Sequence, residues 1–221
     1  MMEVRQMLNS VLFQGMKENE IEGLLKFLKA AKKTYQKGET IFHMGECVTK
    51  MGIIVKGSVY IIRGDAWGNE NILDHAGCGQ VFGETYACTR GEPLTVDVVA
   101  AEDAEIIFID SSGILERFDP SCASHVRLLQ NLVQVMAQKN LAFSRKMSHI
   151  MPKTIRERLL SYLSYEAVKH QDREFDIPFN RQQMADYLLV ERSALSKELS
   201  RMREEGLLSY RKNHFILHEM E

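Results

Sequence analysis

Three observations predict an α+β fold in three parts. Short β-prone runs punctuated by glycine fill residues 35–109, an apolar repeat with heptad spacing follows Asp119-Pro120, and the last quarter joins two short amphipathic helices to alternating runs. The 221 residues, 45% hydrophobic and 26% charged, are enough for one large or two modest domains with a proper core. The shifts in pattern set the parts at 1–120, 121–150 and 151–221.

Residues Val4–Lys33 carry helical punctuation, with Ile21, Leu24, Leu25 and Leu28 spaced along one buried face. From Tyr35 the runs Thr40–His43, Met51–Val55, Val59–Arg63, Asn71–Leu73, Val81–Phe82, Leu94–Ala100 and Glu105–Ile109 read as strands. Many short strands at regular turns indicate a β-sandwich or barrel. Glycines such as Gly38, Gly45, Gly57 and Gly83 mark the turns, and residues 64–69 form a polar hairpin loop with Trp67 half exposed.

The long helix runs from beyond Pro120 to about His149. Val126, Val133, Asn140 and Met147 occupy one core position of its heptads, and Leu129, Met136, Phe143 and Ile150 the other. Such a seam calls for a partner helix, so Leu129, Val133, Met136, Asn140, Phe143 and Met147 are the expected homodimer contacts. Asn140 is the polar member that fixes register in a parallel pair. The alternative is that this face packs on the chain's own barrel. Met151-Pro152-Lys153 then interrupts the helix as a hinge, and Ile155, Leu159, Tyr162 and Leu163 begin another amphipathic helix.

Asn180 and Gln183 have the spacing of a capping box, so a short helix starts near Arg181, with Met184 and Leu188 inward. It breaks near Leu189–Glu191. The period resumes at Arg192, placing Leu195, Leu199 and Met202 on an apolar stripe and Arg192, Ser193, Ser196, Lys197 and Ser200 on an adjoining arc. Long cations with small hydroxyls suit a helix laid in a DNA major groove. Gly206 stops the helix, and Leu207–Tyr210 and His214–Leu217 make a hairpin with Arg211-Lys212-Asn213 at its tip: a wing. Phe175, Ile177 and Phe179 alternate and supply a third strand. Arg201 and Lys212 extend the basic surface. A solvated helical hairpin would carry the same stripe, but would leave the wing without a purpose.

A net charge of −2 argues against a chain that coats nucleic acid wholesale; the positive charge is local. No apolar run approaches the roughly 18 residues a bilayer span needs, and the amino terminus has no signal-peptide features, so a cytoplasmic protein with no membrane partner is expected. Cys47, Cys78, Cys88 and Cys122 show no C-x-x-C spacing, so no metal site is expected and reduced thiols are. There is no P-loop, G-x-S-x-G, H-E-x-x-H or G-x-G-x-x-G with its acid, which argues against an enzyme.

The order of parts, together with Lys37-Gly38-Glu39-Thr40-Ile41-Phe42, Gly45-Glu46, Ile54-Val55-Lys56-Gly57-Ser58-Val59, Gly79-Gln80-Val81-Phe82-Gly83-Glu84, and the run from Asn180 to Lys197, resembles the family of the cyclic-AMP receptor protein and the fumarate and nitrate reduction regulator. The likeness covers nearly the whole chain. It implies that the barrel is a double-stranded β-helix, a jelly-roll-like β-roll that holds a small effector against the long helix and so switches a winged helix-turn-helix. Arg192, Ser193 and Lys197 would read bases, and Arg181 and Gln182 would touch the DNA backbone. The implied partners are double-stranded DNA with a palindromic operator, a second copy of the chain, and RNA polymerase.

By the same resemblance the effector contacts are Phe82, Gly83, Glu84, Thr85, Leu94 and Thr95, with Asn140, Phe143 and Ser144 from the long helix. Glu84 serves equally well as an acceptor for backbone amides at a turn. The family's cyclic-nucleotide binders place an Arg-Ser pair where this chain has Leu94-Thr95, so the cation for a cyclic phosphate is missing and cyclic AMP is not the expected effector. No cysteine cluster precedes Cys47 to hold iron and sulfur. Haem or thiol sensing through His75, Cys78 or Cys88 and a cyclic-nucleotide-binding interaction module remain the alternatives. Leu189 also stands where the family's turn commonly has glycine.

Overall fold

Strands in the N-terminal part form along its glycine-punctuated β-prone runs, with one further strand added at their edge. The computed structural model describes residues 7–64, 70–89 and 91–218. The strands are β1 (Ala31–Tyr35), β2 (Thr40–Phe42), β3 (Lys50–Lys56), β4 (Val59–Gly64), β5 (Glu70–Ala76), β6 (Val81–Phe82), β7 (Asp97–Ala100) and β8 (Ala104–Asp110). They form two antiparallel four-stranded sheets, ordered β1-β8-β3-β6 and β2-β7-β4-β5. These crossing connections make the jelly-roll-like β-roll. The loop expected around Trp67 lies outside the described residues at 65–69.

Period two divides the first sheet between two cores. Met51, Ile53 and Val55 of β3, with Ile107 and Ile109 of β8, pack under Ile21, Leu24 and Leu25. The intervening Ile54, Ile106 and Phe108 face the roll interior with Phe42, Phe82, Leu94 and Val98. Gly52 is needed at this wall because a Cβ there would overlap the Phe82 ring.

The sequence reading carried the first helix to Lys33. Instead α1 (Glu18–Phe27) ends early, Lys29 turns left-handed at φ 50°, and residues 31–35 become β1, paired from Ala31↔Phe108 to Tyr35↔Ala104. This is an edge strand of largely exposed side chains, so it lacks the alternation that reveals half-buried strands. Two short helices, α2 (Glu84–Thr89) and α3 (Ser111–Leu115), were also not anticipated. The run read as a strand from Leu94 narrows to β7, because Leu94 bonds to a loop: its N–H donates to the Glu46 carbonyl, and its carbonyl accepts from Gly45.

The long helix α4 (Ala123–Ile150) is continuous over 28 residues. By its contacts the chain divides into two compact units, Met1–Gln138 and Lys139–Glu221, parting inside α4. In the first unit Leu128, Leu132 and Val135 are buried, and the Asn131 amide donates to the Leu12 and Gln14 carbonyls at 2.9 and 3.0 Å. Leu129 and Met136, expected in the dimer seam, are half-buried against this same core, so for these two the packing is at least partly on the chain's own domain. Val133, Asn140 and Phe143 are exposed and Met147 is half-buried.

In the second unit α5 (Ile155–His170) begins with a Thr154–Glu157 capping box just after the proline-marked break. Then come β9 (Glu174–Asp176), α6 (Arg181–Leu188), α7 (Arg192–Glu204), β10 (Leu208–Arg211) and β11 (His214–Leu217). The strands form one antiparallel sheet, ordered β10-β11-β9; the third strand is thus the Phe175 end of the alternating run, and Ile177 and Phe179 lie beyond it.

Candidate nucleic-acid interface and effector region

The capping box at Asn180 starts α6: Gln183 N–H donates to Asn180 Oδ1 at 3.0 Å, and Asn180 N–H to Gln183 Oε1 at 2.9 Å. The helix closes on Leu189, left-handed at φ 53° and ψ 52°, with its side chain exposed. A left-handed residue stands at this turn even without glycine, and the leucine bears the strain. Below α7, Leu195, Leu199 and Met202 are wholly buried. Arg192, Ser193, Lys197 and Arg201 are exposed on the other side, and Ser196 is half-buried among them. Ser193 Oγ donates to Glu191 Oε2 at 3.0 Å.

Arg181 is placed differently from expectation. Its guanidinium lies 5.0 Å from the Tyr210 ring centroid and 5.7 Å from that of Phe215, and Nη2 donates to the Lys212 carbonyl at 3.3 Å. Burial lowers its pKa. It therefore braces the wing from beneath, with Lys212 exposed at the wing tip in a left-handed turn at φ 57°. Gln182 is exposed, and its Nε2 donates to Asp186 Oδ1 at 2.8 Å.

Two arginines that sequence reasoning missed organise the underside of the motif. From α5, Arg158 Nε donates to the Pro152 carbonyl at 2.8 Å, and Nη1 to the Leu188 and Leu189 carbonyls at 3.1 and 3.2 Å. It satisfies orphan carbonyls at the end of α6 and ties them to the break before α5. Arg156 Nε donates to Glu198 Oε1 at 2.8 Å and its Nη2 to both Glu205 oxygens at 2.7 Å. These carboxylates raise the arginine's pKa, Glu205 more than Glu198. Both arginines sit in an amphipathic helix where polar residues are ordinary, so no local motif distinguishes them.

At the end of α4, His149 is 3% exposed with Nδ1 3.0 Å from Ser161 Oγ, and among the described residues its Nε2 has no hydrogen-bond partner. The rings of Tyr162, Tyr165 and Tyr187 lie 5.7, 5.3 and 6.2 Å away, centroid to centroid. Burial lowers the His149 pKa and the buried Glu166 partly opposes this. The Tyr162 hydroxyl is likewise buried without a hydrogen-bond partner among the described residues, and burial pushes its pKa well above the usual phenol value.

In the β-roll, Phe82 is wholly buried, 5.7 Å from the Phe42 ring and 6.4 Å from that of Phe108, and Leu94 is 2% exposed in the same core. These two candidate effector contacts serve packing. Gly83 is left-handed at φ 74°, and Glu84 is 4% exposed at the start of α2. Thr95 is exposed, with Oγ1 2.6 Å from the Tyr86 hydroxyl. Thr85 is exposed, and its carbonyl accepts from Thr89 Oγ1 at 2.8 Å. Asn140, Phe143 and Ser144 are exposed on α4, in the other compact unit.

The four cysteines are free, and among the described residues no group of three or more His, Cys, Asp or Glu is placed to hold a metal. Burial raises the Cys88 pKa, whereas the Ser124 hydroxyl and backbone N–H groups at the start of α4 lower that of Cys122. Among the described residues no helix is long and apolar enough to cross a membrane.

Comparison with known proteins matches residues 32–120 to the cyclic nucleotide-binding domain and residues 157–221 to the Crp-like helix-turn-helix domain. The chain is 24% identical over 179 residues to the cAMP-activated global transcriptional regulator CRP of Haemophilus influenzae, covering 79% of this chain and 78% of that one. It is 30% identical over 101 residues to the cyclic AMP receptor protein of Thermus thermophilus, a match spanning 46% of this chain and 45% of that protein. The structure of CprK complexed with OCPA is similar in fold, with a TM-score of 0.65 at 19% identity over 90% of this chain and 92% of that one. With both domain types in this order around one long helix, the chain belongs to the family of the cyclic-AMP receptor protein and the fumarate and nitrate reduction regulator, DNA-binding transcription regulators that respond to effectors.

Proposed function

We propose that the protein works in the cytoplasm as a homodimer that reads a palindromic duplex through α7, with a small effector other than cyclic AMP held by the β-roll. The observation that carries the reading is the exposed arc of α7. Arg192 and Lys197 stand clear of the buried Leu195–Leu199–Met202 stripe, and among the described residues neither side chain is engaged in a hydrogen bond or ion pair. Cations free of internal partners are what guanine edges and phosphates require. Arg201, 3.7 Å from Glu198, and Lys212 at the wing tip flank that arc as phosphate contacts.

Two-fold symmetry is supported by the outward part of α4, where Val133 and Phe143 are 58% and 65% exposed with Asn140 between them. A helix-turn-helix dimer matches its own symmetry to two half-sites one DNA turn apart. RNA polymerase is the further partner of this reading. Against cyclic AMP stands the apolar, buried Leu94 at the position of the family's arginine, with the neighbouring Thr95 hydroxyl already taken by Tyr86. The relatives named as cAMP-activated and the OCPA-complexed CprK are consistent with one fold serving different small molecules.

The test is a gel shift on duplexes selected by the wild-type protein from a random pool. Arg192→Ala and Lys197→Ala each weaken binding by about 1–3 kcal/mol and relax preference at particular base pairs. Equal loss on every sequence would reduce both residues to phosphate contacts.

A further inference from the structure

We infer that Arg156, which lies outside the helix-turn-helix, is the positioning residue that sets the rotation of α7 and hence which base edges Arg192 and Lys197 meet. The inference rests on the DNA-reading proposal above. Glu198 lies within α7 and Glu205 is its C-cap, still in right-handed backbone at φ −77° and ψ −4°; they are seven residues apart, about two turns of helix, so both carboxylates lie toward the same side. One planar guanidinium reaches both, through Nε at 2.8 Å and Nη2 at 2.7 Å. A rigid fork bonded to a helix at one residue in its body and again at its C-cap defines an orientation as well as a distance.

The apolar contacts beneath α7 hold it down without doing this. Leu195, Leu199 and Met202 bury one stripe, and hydrophobic burial is non-directional, so a few degrees of roll cost little there. Long cations on the opposite arc turn with the helix, and a bidentate base contact tolerates little displacement. Arg156 is itself fixed, one residue into α5 behind the Thr154–Glu157 capping box. Its Glu198 partner is part-buried at 16% side-chain exposure, so this contact is shielded from water more than an ordinary surface pair.

Orientation and charge have different signatures. Arg156 also cancels carboxylate charge beside the DNA face, and removing it would lower affinity for any duplex, more at low salt than at high. Loss of orientation would narrow the preference for the selected duplex over a scrambled one. Arg156→Lys keeps the charge and loses the fork, Arg156→Met loses both, and Arg156→Met with Glu198→Gln and Glu205→Gln removes the uncompensated carboxylates as well.

The experiment is fluorescence anisotropy on the full-length protein with the selected duplex and its scrambled version, across a salt series, with circular-dichroism melts alongside. Arg156→Lys should reduce the specific-to-scrambled ratio about tenfold while keeping wild-type salt dependence. The triple variant should recover affinity for scrambled DNA but not the ratio. An unchanged ratio in Arg156→Lys, or full recovery of the ratio in the triple variant, overturns the positioning role. If Arg156→Met does not fold, Arg156→Lys decides the question alone. A wild-type protein that selects no sequence overturns the DNA-reading proposal and this one with it, and is recognised before any variant is made.

Discussion

At the scale of single residues, His149 and Leu189 show the C-terminal unit spending stability at two places near its working parts. The His149 ring is buried among tyrosines, and burial holds its pKa below the ordinary 6.5. The unfolded chain therefore takes up its proton first as pH falls, so this site's stability is intact above about 6.5 and declines as pH drops toward the folded-state value. Melting temperature should fall between pH 7.5 and 5.5, and His149→Phe should flatten part of that slope; Ser161 keeps a second partner, since its hydroxyl also donates to the Ser148 carbonyl at 3.4 Å. An unaltered slope in the variant would mean that other groups govern acid sensitivity. Leu189 sits left-handed and 61% exposed, so it pays backbone strain with little packing in return. Leu189→Gly should raise unfolding free energy by about 0.5–1 kcal/mol, measured by urea titration, because relieved strain outweighs glycine's larger unfolded-state entropy.

At the scale of elements, α4 carries two messages in one repeat. Leu128 and Leu132 pack into the first unit's core with Leu129 and Met136 partly buried against it, while Val133 and Phe143 remain exposed, so the heptad reading, which put Leu129 and Met136 in one seam with Val133 and Phe143, merged residues in different surroundings. Leu129 and Met136 sit at the margin between those surroundings. Periodicity reports that a face is apolar, and it does not say which neighbour covers it. Asn140 provides the discriminating change: in a parallel pair, Asn140→Val should tighten association and admit species larger than a dimer. Sedimentation velocity indistinguishable from wild type would remove Asn140 from the seam. Elsewhere α6 and α7 were legible to within a residue, because capping, the apolar stripe and Gly206 all agree. Strand β1 was not, since Lys32, Lys33 and Thr34 form an exposed edge without alternation.

For the whole molecule, the order of parts was legible because each change of texture, from glycine-punctuated strands to heptads to a capped helix pair, has its own physical cause. The contacts joining those parts were far less so. Apart from the Pro152 carbonyl, the partners of Arg156 and Arg158 lie 30 to 49 residues away, and the buried setting of Phe82 depends on the distant Gly52 and Phe108. The exposed basic arc of α7 was readable from one helix, whereas the effector contacts were carried by resemblance, and two of them, Phe82 and Leu94, are core residues. Isothermal titration calorimetry with cyclic AMP should give no saturable heat at micromolar concentrations, since Leu94 offers a cyclic phosphate no charge. Saturable binding in that range would show that the anion is neutralised elsewhere.

The wall formed by β3 and β8 has one more consequence, for how this sequence tolerates change over generations. Ile53 and Ile54 are neighbours in the chain but tenants of separate compartments, as are Ile106 and Ile107. Substitutions that preserve bulk can drift independently on the two sides. Loss or gain of a single residue within either strand would instead exchange that strand's contributions to the two compartments at once, and in β3 ahead of Gly52 it would also bring a side chain against the Phe82 ring. Length variation among descendants of this chain should therefore accumulate in its turns, while β3 and β8 keep their residue count.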